Sequence, residues 1–137
     1  MQGPESMVGR LVAAANRHDL EALVACFAPD GYVNETPAHP ARSFRGREQV
    51  RRNWEQIFAH VPDIISEVLR ASYGPDIAWT EWEMRGTRRD GSEALMRGVM
   101  IFGVTDGLAR WCRFYLEPVD AGSTTVDDAV RAQVVRQ

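Results

Sequence analysis

The sequence predicts an α+β domain in which helices cover one side of a curved antiparallel sheet, and three features point to it. Residues 78–119 alternate large apolar and polar side chains, with turn residues at Arg89-Asp90-Gly91-Ser92 and at Asp106-Gly107. Asp-Gly between alternating runs marks a hairpin, because both central residues of a type I′ turn need positive φ. Ahead of that unit, apolar residues recur at helical spacing in separate segments. The 137 residues contain no repeat and no linker, so a single domain with a substantial core is expected.

Taken in order, residues 4–17 place Met7, Val8, Leu11, Val12 and Ala15 on one helical stripe. Asp19 caps a second helix that buries Leu20, Leu23, Val24 and Phe27 and stops at Pro29-Asp30-Gly31. Residues 32–36 form a short strand, and a proline-rich loop follows over 37–44. Residues 46–60 form a third helix with Val50, Trp54, Ile57, Phe58 and Val61 on its apolar stripe, ended by Pro62. Residues 64–72 form a strand that turns at Gly74-Pro75 into the three-stranded unit. After a break at residues 121–125, Val126, Ala129, Val130, Gln133 and Val134 return to helical spacing, with Thr125 and Asp128 as a capping box. Residues 1–119 are thus expected to form the domain and residues 120–137 a tail with a short helix.

If both turns of the three-stranded unit are two-residue loops, its register follows. Trp79, Phe102 and Trp111 make one cross-strand row; Glu81, Met100 and Arg113 the next; then Glu83, Gly98 and Tyr115; then Arg85, Met96 and Glu117. Period-two alternation puts all of these on one face. The opposite face, with Thr80, Trp82, Met84, Val99, Ile101, Cys112, Phe114 and Leu116, is almost wholly apolar. A sheet apolar on both sides meets water on neither. One face should therefore meet the helices and the other a second layer or a second copy of the chain. The face with carboxylates and arginines among Trp, Met and Tyr has the make-up of a lined cavity.

The bulk properties exclude several classes. A net charge of −3 and a pI of about 5.6 disfavour nucleic-acid binding. Cys26 and Cys112 show neither a disulfide framework nor ligand spacing, and His18, His39 and His60 fall on separate elements. No metal is expected, and no nucleotide cofactor either, since no glycine-rich phosphate loop occurs. No apolar run approaches a membrane span and no leader precedes the fold, so a cytoplasmic protein is expected.

Several segments, in order, resemble the nuclear transport factor 2-like superfamily and its SnoaL-like branch of small-molecule enzymes. They are Leu11-Val-Ala-Ala-Ala-Asn-Arg-His-Asp-Leu20, Cys26-Phe-Ala-Pro-Asp30, Phe44-Arg-Gly46, Thr80-Glu-Trp82 and the run from Gly98 to Gly107. The resemblance covers roughly residues 5–119. It implies a cone-shaped domain whose sheet wraps a pocket closed by the three helices, and a dimer through the outer sheet face. Such a homodimer would be joined here by Trp82, Val99, Ile101 and Phe114. Tyr32-Val-Asn34-Glu-Thr-Pro37 is similar to a segment of limonene-epoxide hydrolases, in which Tyr and Asn hold a water that a carboxylate deprotonates. Matched strand by strand, Glu83 falls at that family's proton donor, Glu81 at its Arg and Arg113 at its base. Polyketide cyclases and ketosteroid isomerase relatives use the same pocket for acid/base chemistry at carbonyl carbons.

The candidate catalytic residues are Glu83, Glu81, Arg113, Tyr32 and Asn34. The candidate substrate-binding residues are Tyr115, Trp79, Trp111, Met100, Gly98, Phe102 and Trp54. Glu81 and Glu83 read either as a buried pair, one member of which transfers protons, or as an ion network that holds the register. Gly98 leaves a space that a ligand atom could fill. Arg85 and Glu117 read as a rim salt bridge, His39 as a loop residue over the pocket mouth, and Arg42, Arg45, Arg47, Arg51 and Arg52 as a solvated basic run. The leading function is cofactor-free acid/base catalysis, of isomerase, cyclase or epoxide-hydrolase type, on a small hydrophobic substrate. The alternatives are a non-catalytic binding module for a hydrophobic metabolite and a structural dimer whose cavity is filled by Trp54, Trp79 and Trp111.

Overall fold

The computed structural model describes residues 3–135; residues 1–2 and 136–137, at the ends of the expected domain and tail, lie outside the described residues. Four helices, α1 (Pro4–Arg17), α2 (Leu20–Val24), α3 (Arg47–His60) and α4 (Val126–Val134), accompany six strands. These are β1 (Val33–Glu35), β2 (Phe44–Arg45), β3 (Ile65–Tyr73), β4 (Ile77–Thr87), β5 (Glu93–Thr105) and β6 (Leu108–Pro118). The strands form one sheet in the order β2-β1-β6-β5-β4-β3. The meander from β3 to β6 is antiparallel as expected, but β1 runs parallel to β6, and the proline-rich loop supplies the extra strand β2.

Local signals explain the helix ends. His18, at φ 56°, closes α1 with its N–H on the carbonyls of Ala14 and Ala15, and the Asp19 side chain accepts from Ala22 N at the start of α2. The second helix is shorter than expected. Phe27 leaves it to bridge Ala109, although it stays buried. Helix α4 starts at the expected cap, where Thr125 accepts from Asp128 N. Its valines Val126, Val130 and Val134 stand exposed.

Met7, Val8, Leu11, Ala14 and Ala15 of α1 pack with Val50 of α3 onto one sheet face, against Trp82, Met84, Met100, Phe102, Cys112 and Leu116. The face that meets the helices is therefore not the one the two-residue turns imply. Two single-residue differences explain the exchange, since a slip of one residue reverses every side chain.

The first difference is the β4–β5 turn. Arg88 N–H donates to Ser92 O at 2.8 Å, which leaves Arg89, Asp90 and Gly91 in the loop, with Gly91 left-handed at φ 88°. A three-residue loop closed by a left-handed glycine is a standard hairpin turn, and its odd length sets Trp82 opposite Gly98 and Glu83 opposite Arg97. The second lies in β6. Asp106 and Gly107 take φ 55° and 74°, as a type I′ turn requires, and Thr105 pairs with Leu108 as expected. Then a bulge intervenes: Val104 pairs with Ala109 but Gly103 with Trp111, so Arg110 is an extra residue. Strand β5 keeps its expected inward face of Met96, Met100 and Phe102, while β4 and β6 turn over.

Candidate functional site

The inner sheet face, α1, α3 and the loop after β1 enclose a cavity of about 260 Å³. Its wall is largely apolar: Trp82 and Met84 from β4, Met96, Met100 and Phe102 from β5, Phe114 and Leu116 from β6, Trp54 and Ile57 from α3. Polar groups enter at two levels. Tyr32 and Asn34 lie deep; Thr36, Arg42, Asn53 and Glu117 also line the cavity. Glu117 supplies the one carboxylate among the described lining residues.

Tyr32 and Asn34, two residues apart and on one face of the β1 segment, are 1 % and 7 % exposed. The Tyr32 hydroxyl donates to Asn34 Oδ1 at 2.9 Å. That bond occupies the amide oxygen and leaves the Asn34 Nδ2 hydrogens to donate. Phe27 meets Tyr32 edge-on at a ring-centroid distance of 5.0 Å. Burial, and next the neighbouring Cys112 thiol, push the Tyr32 phenol up, so it serves as a neutral hydrogen-bond donor and not as a base. Burial likewise pushes the Cys112 thiol up to about 12.

Below the cavity wall runs a buried polar chain that fixes Trp82, one of the two lining tryptophans. Trp82 Nε1–H donates to Thr80 Oγ1 at 2.6 Å, and the Thr80 hydroxyl donates to the Met100 carbonyl at 2.6 Å. At the mouth, the loop after β1 is held by Thr36 N–H on Ser43 Oγ (2.9 Å) and by His39 Nε2 against Glu117 Oε1 (3.2 Å). His39 thus lies over the mouth, and Glu117 takes His39 as partner instead of Arg85.

The remaining candidates separate. Tyr32, Asn34, Met100, Phe102 and Trp54 line the cavity. Glu81, Glu83, Arg113, Trp79, Trp111 and Tyr115 do not: the turned-over registers of β4 and β6 carry them to the outer sheet face. Glu83 there bonds Arg97 at 2.9 Å and Arg85 at 3.0 Å, and Arg85 continues to Glu67 at 3.2 Å. The Arg97 guanidinium, followed by Arg85, holds the Glu83 carboxyl below its ordinary range. Glu81 pairs with Arg70 at 2.9 Å, and Arg113 with Glu35 at 3.0 Å, so the expected Glu81–Arg113 partnership does not form. The Tyr115 phenol, then Glu35, holds the Arg113 guanidinium above its usual range.

Gly98 has a different role from the one expected of it. At φ 154°, a Cβ there would lie 2.1 Å from the Tyr115 carbonyl oxygen, so the missing side chain makes room for strand β6 and not for a ligand. Trp82 and Phe114, assigned to the outer face from the sequence, line the cavity, while Val99 and Ile101 remain outside. Trp79 is 52 % exposed, and neither it nor Trp111 fills the cavity. Among the described residues no group of three or more His, Cys, Asp or Glu could hold a metal ion, and no helix is long and apolar enough to cross a membrane.

Asn53, Arg42, Met84 and Cys112 are lining residues that sequence reasoning missed. One available signal was Gly103, whose Cβ would lie 1.9 Å from the Trp111 indole nitrogen. A glycine beside a Trp in a strand pattern marks close approach, and hence an irregular pairing.

The architecture is thus a curved sheet closed by helices over an apolar cavity, with a few convergent polar groups. The SnoaL-like domain matches residues 8–114, and the chain belongs to that family. Among solved structures, IdmH from Streptomyces antibioticus, described as a putative polyketide cyclase, superposes with a TM-score of 0.71 at 24% identity, over 83% of this chain and 91% of that one. Its 96–104 loop-truncation variant gives 0.70 at 26% identity, over 83% and 92%. AclR from Streptomyces galilaeus, a putative hydroxylase, gives 0.70 at 18%, over 82% and 77%. A Mycobacterium tuberculosis protein in complex with estradiol-17β-hemisuccinate gives 0.67 at 21%, over 80% and 89%. No curated protein matches the chain. The neighbours establish the nuclear transport factor 2-like, ketosteroid isomerase-like fold.

Proposed function

We propose that the protein binds a small, largely apolar molecule in the cavity and directs one of its oxygens onto Asn34. The observation that carries this is the Tyr32–Asn34 pair: a buried amide whose oxygen is occupied and whose hydrogens are left to donate, deep in a chamber with largely apolar walls. A ligand carbonyl, hydroxyl or epoxide oxygen placed there meets a preorganised donor away from water, where it stabilises developing negative charge best. The apolar walls hold the rest of the molecule in one conformation, which favours an intramolecular reaction. This supports cofactor-free turnover of cyclase, isomerase or epoxide-hydrolase type. Proton exchange at the mouth falls to Glu117, with His39 beside it. Glu81, Glu83 and Arg113 stay outside the step, because they lie across the sheet. The steroid complex and the putative cyclase among the neighbours support a multi-ring or folded-chain ligand.

A non-catalytic binding module is the second reading, favoured by the lack of any deep carboxylate among the described lining residues. We also propose a homodimer through the outer sheet face, where Trp79 and Tyr115 stand exposed beside Val99 and Ile101. Two free buried thiols suit a reducing compartment such as the cytoplasm.

Titration with estradiol, followed by tryptophan fluorescence, tests the binding. Micromolar affinity that falls about tenfold in Asn34→Leu, the worth of one hydrogen bond of roughly 1.4 kcal/mol, supports the reading. Equal affinity in the variant, or no binding at all, refutes it.

A further inference from the structure

We propose that the natural ligand carries a carboxylate at the end of its apolar body, and that Arg42 at the cavity mouth binds it. This inference rests on the cavity being a ligand site.

The sequence places Arg42, Arg45, Arg47, Arg51 and Arg52 in one basic run, but the structure disperses them. Arg47 donates to the Phe27 carbonyl at 3.4 Å, Arg51 pairs with Glu21, and Arg52 donates to Gln49 Oε1 at 2.6 Å. Arg45 is exposed on β2 and does not line the cavity. Arg42 does line it, is exposed, and makes no side-chain hydrogen bond or ion pair among the described residues.

Its backbone is nevertheless fixed. Arg42 ends a short 3-10 turn, with its own N–H on the His39 carbonyl at 2.9 Å and Ser43 N–H on the Pro40 carbonyl at 3.0 Å. His39 in turn is tied to Glu117 and to the Thr36 carbonyl. A cation held at the rim of an apolar chamber, with its partner position open, is complementary to an anion at the end of an apolar molecule. The planar guanidinium matches a carboxylate by two parallel hydrogen bonds. Asn53 extends the site: its Oδ1 accepts from Gln49 Nε2 at 2.8 Å, so its amide hydrogens remain for a ligand oxygen. The rim carboxylate, Glu117, is engaged by His39.

Isothermal titration with three ligands on one body tests this: estradiol, estradiol-17β-hemisuccinate and estradiol-17β-sulfate, against the wild-type chain and Arg42→Gln. The wild type should bind the hemisuccinate about tenfold more tightly than estradiol, as a charge-assisted hydrogen bond at a partly exposed site allows. That preference should shrink as salt screens the rim. Arg42→Gln should erase it, bringing the affinity for the hemisuccinate down to that for estradiol in the same variant. A stronger gain for the sulfate than for the hemisuccinate would overturn the carboxylate assignment. Estradiol binding with no preference for the acid, or a preference that survives Arg42→Gln, overturns the role of Arg42 while the pocket reading stands. Failure of all three ligands to bind overturns both.

Discussion

Replacing Thr80 by Val tests the sheet's facing in one step. Thr80 is 1 % exposed, and its hydroxyl receives the Trp82 indole N–H and donates to the Met100 carbonyl, both at 2.6 Å. Valine keeps the shape and removes the hydroxyl. The indole N–H is then left buried without an acceptor, which costs about 1–3 kcal/mol. We expect Thr80→Val to lose about 2 kcal/mol of stability, a fall in Tm of about 8 °C for a domain of this size. Thr80→Ser keeps the hydroxyl and loses one methyl, worth about 0.8 kcal/mol, so it should fall roughly half as far or less. Urea denaturation read by tryptophan fluorescence gives both values. If Thr80→Val is as stable as the wild type, the hydroxyl is not in the buried chain, and Trp82 is not fixed against the cavity as described.

Other consequences follow from the same geometry. Gly98→Ala puts a Cβ onto the Tyr115 backbone at a φ that side chains rarely adopt, and should cost about 3 kcal/mol or more, read as a fall in Tm of about 10 °C; a stable variant that merely blocks ligand would restore Gly98 as a ligand space. Cys26 and Cys112 are both buried thiols raised by burial, so neither should react with a thiol reagent in the native protein, and both should react in urea. The unfolded chain releases those protons above about pH 8.5, whereas folded Cys112 keeps its own until about 12. Stability should therefore decline as pH rises through that window, and a flat melting profile from pH 8 to 11 would contradict the burial.

The sequence carries the elements far better than it carries their facing. Helical periodicity locates α1 and α3, and the caps at Asp19 and Thr125 locate the starts of α2 and α4, because those signals are local. Strand alternation is equally plain, and Asp106-Gly107 forms the turn its residues specify. Facing depends on parity, and parity is set by single residues. Gly91 closes a three-residue loop instead of being the second residue of a two-residue one, and Arg110 bulges out of β6. Neither event changes the composition of its strand. Because both faces are rich in large side chains, burial preference alone could not reveal the exchange. Hence Tyr32, Asn34 and Trp54, placed by other elements, reach the cavity, while Glu81, Glu83 and Arg113 form an outer ladder of ion pairs.

The central claim, that the inner face of β4 and β5 holds the ligand, is tested most directly by the five methionine methyl groups. Met84, Met96 and Met100 line the cavity, whereas Met7 is buried in the helical layer and does not. With ¹³C-methyl methionine and estradiol as the titrant, the signals of Met84, Met96 and Met100 should move together along one binding curve. That of Met7 should stay nearly fixed. Movement confined to Met7, or saturation of binding with the three cavity methyls unmoved, would contradict the account.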